Sequence, residues 1–207
     1  MNNWIMTYSG IPVCPLDPKP SDILIEDIAH ALGMTCRWAG HCKTFYSVAE
    51  HSVRVADVCA SLGRMKGYTD QQILELRMLG LMHDATEAYV GDIPRPLKSQ
   101  FKLDTPRGVE TFREAEAHLY KAIEEALRLP KMTPEYNEIV HLADNILLST
   151  EARDVASSGS LKHEKDVQEP LADVIEALAW RKARLLFLMT YANLEQTLGG
   201  GPIKGNQ

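Results

Sequence analysis

The sequence predicts an all-α fold, a helical bundle, on three observations. Apolar residues recur at helical spacing along most of the chain, and serine or threonine stands at helix-start positions ahead of several of these runs. No stretch alternates convincingly as a strand. Helices that each turn one apolar stripe inward specify a bundle. A chain of 207 residues can bury one sizeable core, so a single domain spanning residues 1–207 is expected.

Taken in order, residues 8–20 hold four prolines and a glycine, so roughly the first twenty residues are expected to form an irregular surface segment. Ser21 is placed to cap a helix through ILIEDIAHAL that stops at Gly33. After the loop GMTCRWAGHCKTFY, Ser47 with Glu50 gives a capping-box signature for VAEHSVRVADVCASL, which puts His51 in the first turn. Thr69 with Gln72 opens a long helix through QQILELRMLGLMHDATEAYV that is expected to end near Gly91. Thr105 before Pro106 and Thr133 before Pro134 each predict a helix of about six turns with proline in its first position. A last helix is expected from about Pro170 to Leu198, with GGGPIKGNQ as a loose tail from about residue 199.

Composition narrows the function classes. A net charge of −6 argues against a nucleic-acid polymer as partner, because neutralising many phosphates needs a basic face. The longest apolar run, LLFLMTYA, is too short to cross a bilayer, and the N-terminus carries no signal pattern, so a cytoplasmic location is expected. Cys14, Cys36, Cys42 and Cys59 follow no CxxC spacing and read as free thiols. Neither GxxxxGK[ST] nor GxSxG occurs, which argues against kinase-like and serine-hydrolase chemistry.

The stretch LMHDATEAYVGD carries the chemistry. On one continuous helix His83 would lie at 0°, Asp84 at about 100° and Glu87 at about 40°. An imidazole and two carboxylates among Leu79, Leu81, Met82, Ala85 and Ala88 are costly to bury unless a cation satisfies them. Adjacent helical residues seldom reach one ion alone, so further ligands must come from other helices. His51 and Asp144 are the candidates. Two nitrogens and two oxygens suit Mn, Fe, Co, Ni or Zn better than Ca, with Mg also admissible, and an open position leaves room for a reactive water.

The order His51, His83-Asp84, Asp144 on separate helices resembles the HD-domain metal-dependent phosphohydrolases. Arg37-Trp38, SVAEHS, HDATEAYVGDIPRPLK and ADNILLSTEARD further resemble the YfbR-like 5'-deoxynucleotidases and the phage-type dATP triphosphohydrolases, over roughly residues 21–155. The resemblance implies a helical fold, a divalent metal on His51, His83, Asp84 and Asp144, and Glu87 handling the attacking water. It implies Arg37 orienting the phosphate, Trp38 beside the sugar, and Asp92, Ile93, Pro94 and Arg95 as a substrate-binding loop. The implied reaction is cleavage between the 5' oxygen and the α-phosphorus of a small-molecule deoxynucleotide. Arg95 departs from the smaller residue of the nucleotidases, which leaves one phosphate or three open.

A phosphodiesterase of cyclic or dinucleotide substrates uses the same metal core, and a nucleotide-sensing protein with a structural metal is the non-catalytic alternative. His41 with Cys42 lacks a second ligand pair, and His30, His118 and His163 have no partner pattern. His141, one turn before Asp144, reads as a plain helix residue. Leu185, Leu186, Leu188 and Met189 form a stripe that is core or a subunit contact in a homo-oligomer.

Overall fold

The computed structural model describes residues 3–157 and 167–199. Helix α2 (Val48–Met65) is the axis of the fold, with 12 of its 18 residues buried. That is more than one apolar stripe, so neighbours must cover it on several sides. Helices α1 (Ile25–Met34), α3 (Asp70–Met82), α7 (Pro134–Asp154) and α8 (Trp180–Thr197) do so. One apolar cluster joins α1, α2, α3 and α8 with α6 (Phe112–Leu127), through Ile28, Leu32, Leu81, Leu119 and Phe187. The other joins α2, α3 and α7 through Val55, Leu76, Leu79, Val140 and Leu147. Each such side chain contributes about 1.5–3 kcal/mol over an exposed one, so the positions of α3 and α7 on α2 are strongly fixed.

A Cβ on Gly80 would lie 2.7 Å from Cys59 Sγ and 3.2 Å from the Ala56 Cα, so α2 and α3 cross there at backbone contact. Three residues after Gly80, just past the end of α3, the chain reaches His83. His51 lies eight residues back from Cys59 in α2. The glycine is what lets the two helices cross so closely.

The helical prediction holds, with corrections at five places. The N-terminal segment is not irregular throughout: Ile5–Met6 (β1) pairs antiparallel with Pro12–Val13 (β2), and the Ser9 N–H and hydroxyl both donate to Asp27 on α1, at 2.7 and 2.6 Å. Helix α1 starts at Ile25 rather than after Ser21, because Pro20–Asp22 forms a separate 3₁₀ turn and the Ser21 hydroxyl is spent on Asp22.

Thr105-Pro106 starts no helix. Lys102–Thr105 (β3) and Gly108–Thr111 (β4) form a hairpin whose turn is Thr-Pro-Arg-Gly, with Thr105 Oγ1 donating to the Gly108 carbonyl at 2.9 Å. Proline second and glycine last is a turn signature, and Gly108 takes a φ of 113°. Helix α6 begins instead at Phe112, behind a complete capping box of Thr111 and Glu114.

The last helix starts at Trp180, ten residues later than expected. Residues 167–179 run as a strap whose backbone N–H groups donate to side chains of other helices. Gln168 binds Ser149 Oγ, Leu171 binds Thr150 Oγ1, Ile175 binds Asp154 Oδ2 and Leu178 binds Glu50 Oε2, at 2.8–3.1 Å. Those acceptors compete with a helical ladder, and here they win. Glu50 is thereby drawn away from the capping box, although Ser47 still accepts from the Glu50 N–H. The tail after Gly199 and His163 lie outside the described residues.

The fifth correction concerns the long helix. It ends at Met82, and a short helix α4 (Glu87–Val90) follows a tight turn. Across the break the bonds run three residues back: Ala85 to Met82, Glu87 to Asp84, Ala88 to Ala85. His83, Asp84 and Glu87 therefore do not share one continuous helix. Gly91, at φ 79°, then ends α4 in a conformation that glycine adopts freely.

Candidate metal centre

The tightened turn lets neighbours His83 and Asp84 face the same point. His83 Nε2 lies 3.2 Å from Asp84 Oδ2 and 3.3 Å from His51 Nε2, which is itself 3.3 Å from Asp144 Oδ1 and 3.6 Å from Asp84 Oδ2. His51, His83 and Asp144 each offer one ligand atom, all within 4.8 Å of one another, and could hold a metal ion. Asp84 stands against both imidazoles. Helix α2 supplies His51, the end of α3 His83, and the middle of α7 Asp144.

The donor set fits a cation. His83 Nδ1 is 2.8 Å from the Gly80 carbonyl, which only accepts, so that nitrogen carries the hydrogen. His51 Nδ1 is 2.5 Å from Glu151 Oε1. In neutral rings both Nε2 atoms are then bare lone pairs, facing each other and two carboxylate oxygens. A proton on His51 relieves one contact at a time; a divalent ion relieves all of them. Burial and the Arg37 charge work to lower the His51 pKa, but Glu151 and Asp144 outweigh them and hold it up to about 9. Burial works to raise the Asp84 and Asp144 carboxyls as well. The His83, His51 and Arg37 charges hold Asp84 far below the usual range, and His51 with His83 does the same for Asp144.

Arg37 is buried beside this cluster, its Nε on Glu151 Oε2 at 3.1 Å and its Nη1 on Asp84 Oδ2 at 3.4 Å. The next two residues, Trp38 and Ala39, take φ of 58° and 49°, which side-chain-bearing residues rarely adopt. Such strain persists only where the surroundings impose it. The Trp38 Nε1 is buried without a hydrogen-bond partner.

Glu87 is buried, with Oε2 unpartnered and Oε1 3.7 Å from Lys98 Nζ. Burial, then Asp84 and Asp92, push its carboxyl up to about 9 against the pull of Arg37 and Lys98. Asp92 is half-buried, and burial raises it too. Ile93 and Pro94 contribute chain direction: the Pro94 carbonyl accepts from Leu97 and Lys98 and starts helix α5 (Arg95–Lys98). That turn brings Arg95 Nη2 to 3.0 Å from Asp144 Oδ2 while most of its side chain stays exposed.

Sequence reasoning passed over two residues that the structure brings in. Glu151 lies seven residues after Asp144, within about 20° of it around the helix, and that spacing was the available signal. Lys98 lies three residues after Arg95 on α5 and also reaches Glu116 at 2.9 Å. His41 and Cys42 form no ligand group among the described residues, His30 stacks on Tyr8, and His118 lies 3.2 Å from Glu110.

The HD domain family matches residues 48–148, from the helix that carries His51 to just beyond Asp144. The chain belongs to the HD-domain family of metal-dependent phosphohydrolases. HD domains bind divalent metals, in keeping with the group just described. The chain is 37% identical to the uncharacterized protein YfdR of Escherichia coli, over 74% of this chain and 72% of that one. It is 29% identical to an uncharacterized protein of Rhodobacter capsulatus, over 95% and 98% of the two chains. It is also 34% identical to a 5'-deoxynucleotidase of Cronobacter sakazakii, over 43% of this chain and 41% of the relative. Among the described residues no helix is long and apolar enough to cross a membrane.

Proposed function

We propose that this HD-domain phosphohydrolase acts on deoxynucleotides, cleaving between the 5' oxygen and the α-phosphorus, and that His51, His83, Asp84 and Asp144 are its metal ligands. The observation that carries the reading is the cluster of facing acceptor atoms, with a buried arginine on one side and basic residues on the other. The partial likeness to a 5'-deoxynucleotidase supports the substrate class. A divalent transition ion bound there, Mn, Fe, Co, Ni or Zn, or else Mg, acidifies a bound water and offsets phosphate charge.

Arg37 orients the phosphoryl oxygens, and Glu151 and Asp84 restrict the poses of its guanidinium. Glu87 accepts the proton of the attacking water, since any cation at the centre pulls its carboxyl the same way as Arg37 and Lys98, toward the ionised form. Trp38 and Asp92 hold the nucleoside, with Ile93 and Pro94 shaping that loop. Arg95 and Lys98 add two cations next to the α-phosphate position, which favours a triphosphate over a monophosphate.

A product analysis tests this. Metal-reconstituted protein is given deoxynucleoside monophosphates, deoxynucleoside triphosphates and cyclic nucleotides, and the products are separated by chromatography. A free deoxynucleoside with intact triphosphate is expected from the triphosphate. A deoxynucleoside monophosphate with pyrophosphate would show that the bond between the α- and β-phosphates breaks in place of the bond to the 5' oxygen, and hydrolysis of cyclic nucleotides alone would make the protein a phosphodiesterase. No turnover of any of them would leave a sensing protein with a structural metal.

A further inference from the structure

Glu151 is fully buried on α7, and its two oxygens serve two different residues. Oε1 sits 2.5 Å from His51 Nδ1, and Oε2 accepts from Arg37 Nε at 3.1 Å. We propose that Glu151 is a positioning residue that fixes the His51 ring for the metal and the Arg37 guanidinium for the phosphate with a single carboxylate.

The requirement for glutamate follows from donor counting. Both neighbours present N–H groups to residue 151, and a carboxylate has an accepting oxygen for each. Glutamine offers one oxygen and one NH₂, so it satisfies His51 or Arg37 and sets a donor against the other. Aspartate is one carbon shorter and does not span both. In the neutral ring that binds a metal, the acceptor on Nδ1 also keeps the hydrogen off Nε2, which faces His83 and Asp144. Loss of such a partner behind a ligating histidine commonly costs about 10–100-fold in metal affinity. A bland role as a buried ion pair would weaken the fold and leave the metal affinity of folded protein alone.

Glu50 provides the matched control. It too is a buried glutamate, on α2 beside His51, but its oxygens go to Arg54 and to the Leu178 N–H, away from the centre. The experiment measures Co²⁺ affinity by competition with a chelator, on full-length folded wild type, Glu151→Gln and Glu50→Gln, with helicity and melting temperature recorded for each. Inorganic phosphate affinity of the Co²⁺-loaded proteins is the second readout. Glu151→Gln is expected to lose about 10–100-fold in Co²⁺ affinity and several-fold in phosphate affinity, while Glu50→Gln loses thermal stability and binds both as wild type does. Co²⁺ affinity within twofold of wild type in Glu151→Gln, or an equal loss in Glu50→Gln, overturns the role.

The role rests on the metal centre proposed above and not on the substrate. If wild type binds Co²⁺ but hydrolyses no deoxynucleotide, the proposed function fails and the Glu151 comparison still decides its own question.

Discussion

Arg37 and Arg95 both reach carboxylates of the centre, yet they belong to regions of opposite character. Arg37 is buried between Glu151 and Asp84, on a floor built from α2, α7 and the turn after α3. Arg95 is 66% exposed and touches Asp144 from a rim formed by the short helix α5. A buried charge is held by its partners and is costly to orphan, whereas an exposed pair contributes roughly 0–1 kcal/mol and is free to exchange partners. The difference assigns the regions different work. On the proposed function, the floor would hold the reacting groups in one geometry, and the rim would be open to adapt to a charged substrate.

The sharpest break of this comparison is Asp84→Ala, because Asp84 Oδ2 lies against His51, His83 and Arg37 together. Its removal would take away one proposed metal ligand and leave the Arg37 Nη1 without its acceptor. Metal content is expected to fall from about one ion per chain to a small fraction, and turnover roughly a thousandfold or more, equivalent to about 4 kcal/mol of barrier. Elemental analysis showing full occupancy in this variant would take Asp84 off the floor.

Next in size is Glu87→Gln. Glu87 belongs to the buried side but reaches toward Lys98 on the rim, so it joins the two regions. Turnover is expected to drop about a hundredfold with metal content retained, the scale of losing a positioned proton acceptor. A wild-type rate would pass the role to Asp92, the nearest other raised carboxyl.

How much of this was legible differs between floor and rim for a physical reason. The His83-Asp84 pair could be read because polar residues stood in an otherwise apolar helix, where burial needs an explanation, and His51 and Asp144 were the candidates for the further ligands from other helices, in the order the family resemblance carries. Glu151 escaped because glutamate is an ordinary helix former, and only the packing of α2 on α7 makes it buried. Periodicity placed α2 and α7, whose caps are local. It misplaced the strap at 167–179, whose N–H groups are satisfied by side chains some twenty residues or more away. It also ran one helix through residues 83–86, since nothing in the apolar pattern marks a local tightening of the ladder.

Removing the metal tests the floor through pH. The His51 pKa is about 9 in the metal-free fold against roughly 6.5 when unfolded, so its contribution is complete below about pH 6.5 and is lost as pH rises through 9. Glu87, raised to about 9 from roughly 4.3, also holds a proton in the fold that the unfolded chain has released, so it adds to the same loss. Asp84, Asp144 and Glu151 are lowered, and they stabilise throughout this window, failing only in acid. The melting temperature of chelator-treated protein is therefore expected to fall between pH 6.5 and 9, by about 2–4 °C per kcal/mol lost. Co²⁺ should flatten the curve, because the ion takes the place of the proton. A flat metal-free curve would mean that the floor is satisfied without a cation.

The smallest expected effect belongs to the rim, and it is the one that tells substrate selection from chemistry. Arg95→Ala removes an exposed contact to Asp144 Oδ2, which by itself carries little stability. Asp144 faces His51 with its other oxygen, Oδ1, so the variant should keep its metal and its melting temperature. A phosphate beyond the α position would lose one of two nearby cations, Lys98 being the other. KM for a deoxynucleoside triphosphate is then expected to rise about 3–10-fold, near 1 kcal/mol, with kcat almost unchanged, and KM for the monophosphate should move less than twofold. Parallel kinetics on the two substrates decide it. If both lose kcat equally, Arg95 acts on the reacting phosphorus through Asp144, and the division between a buried floor and an adaptable rim does not hold at this residue.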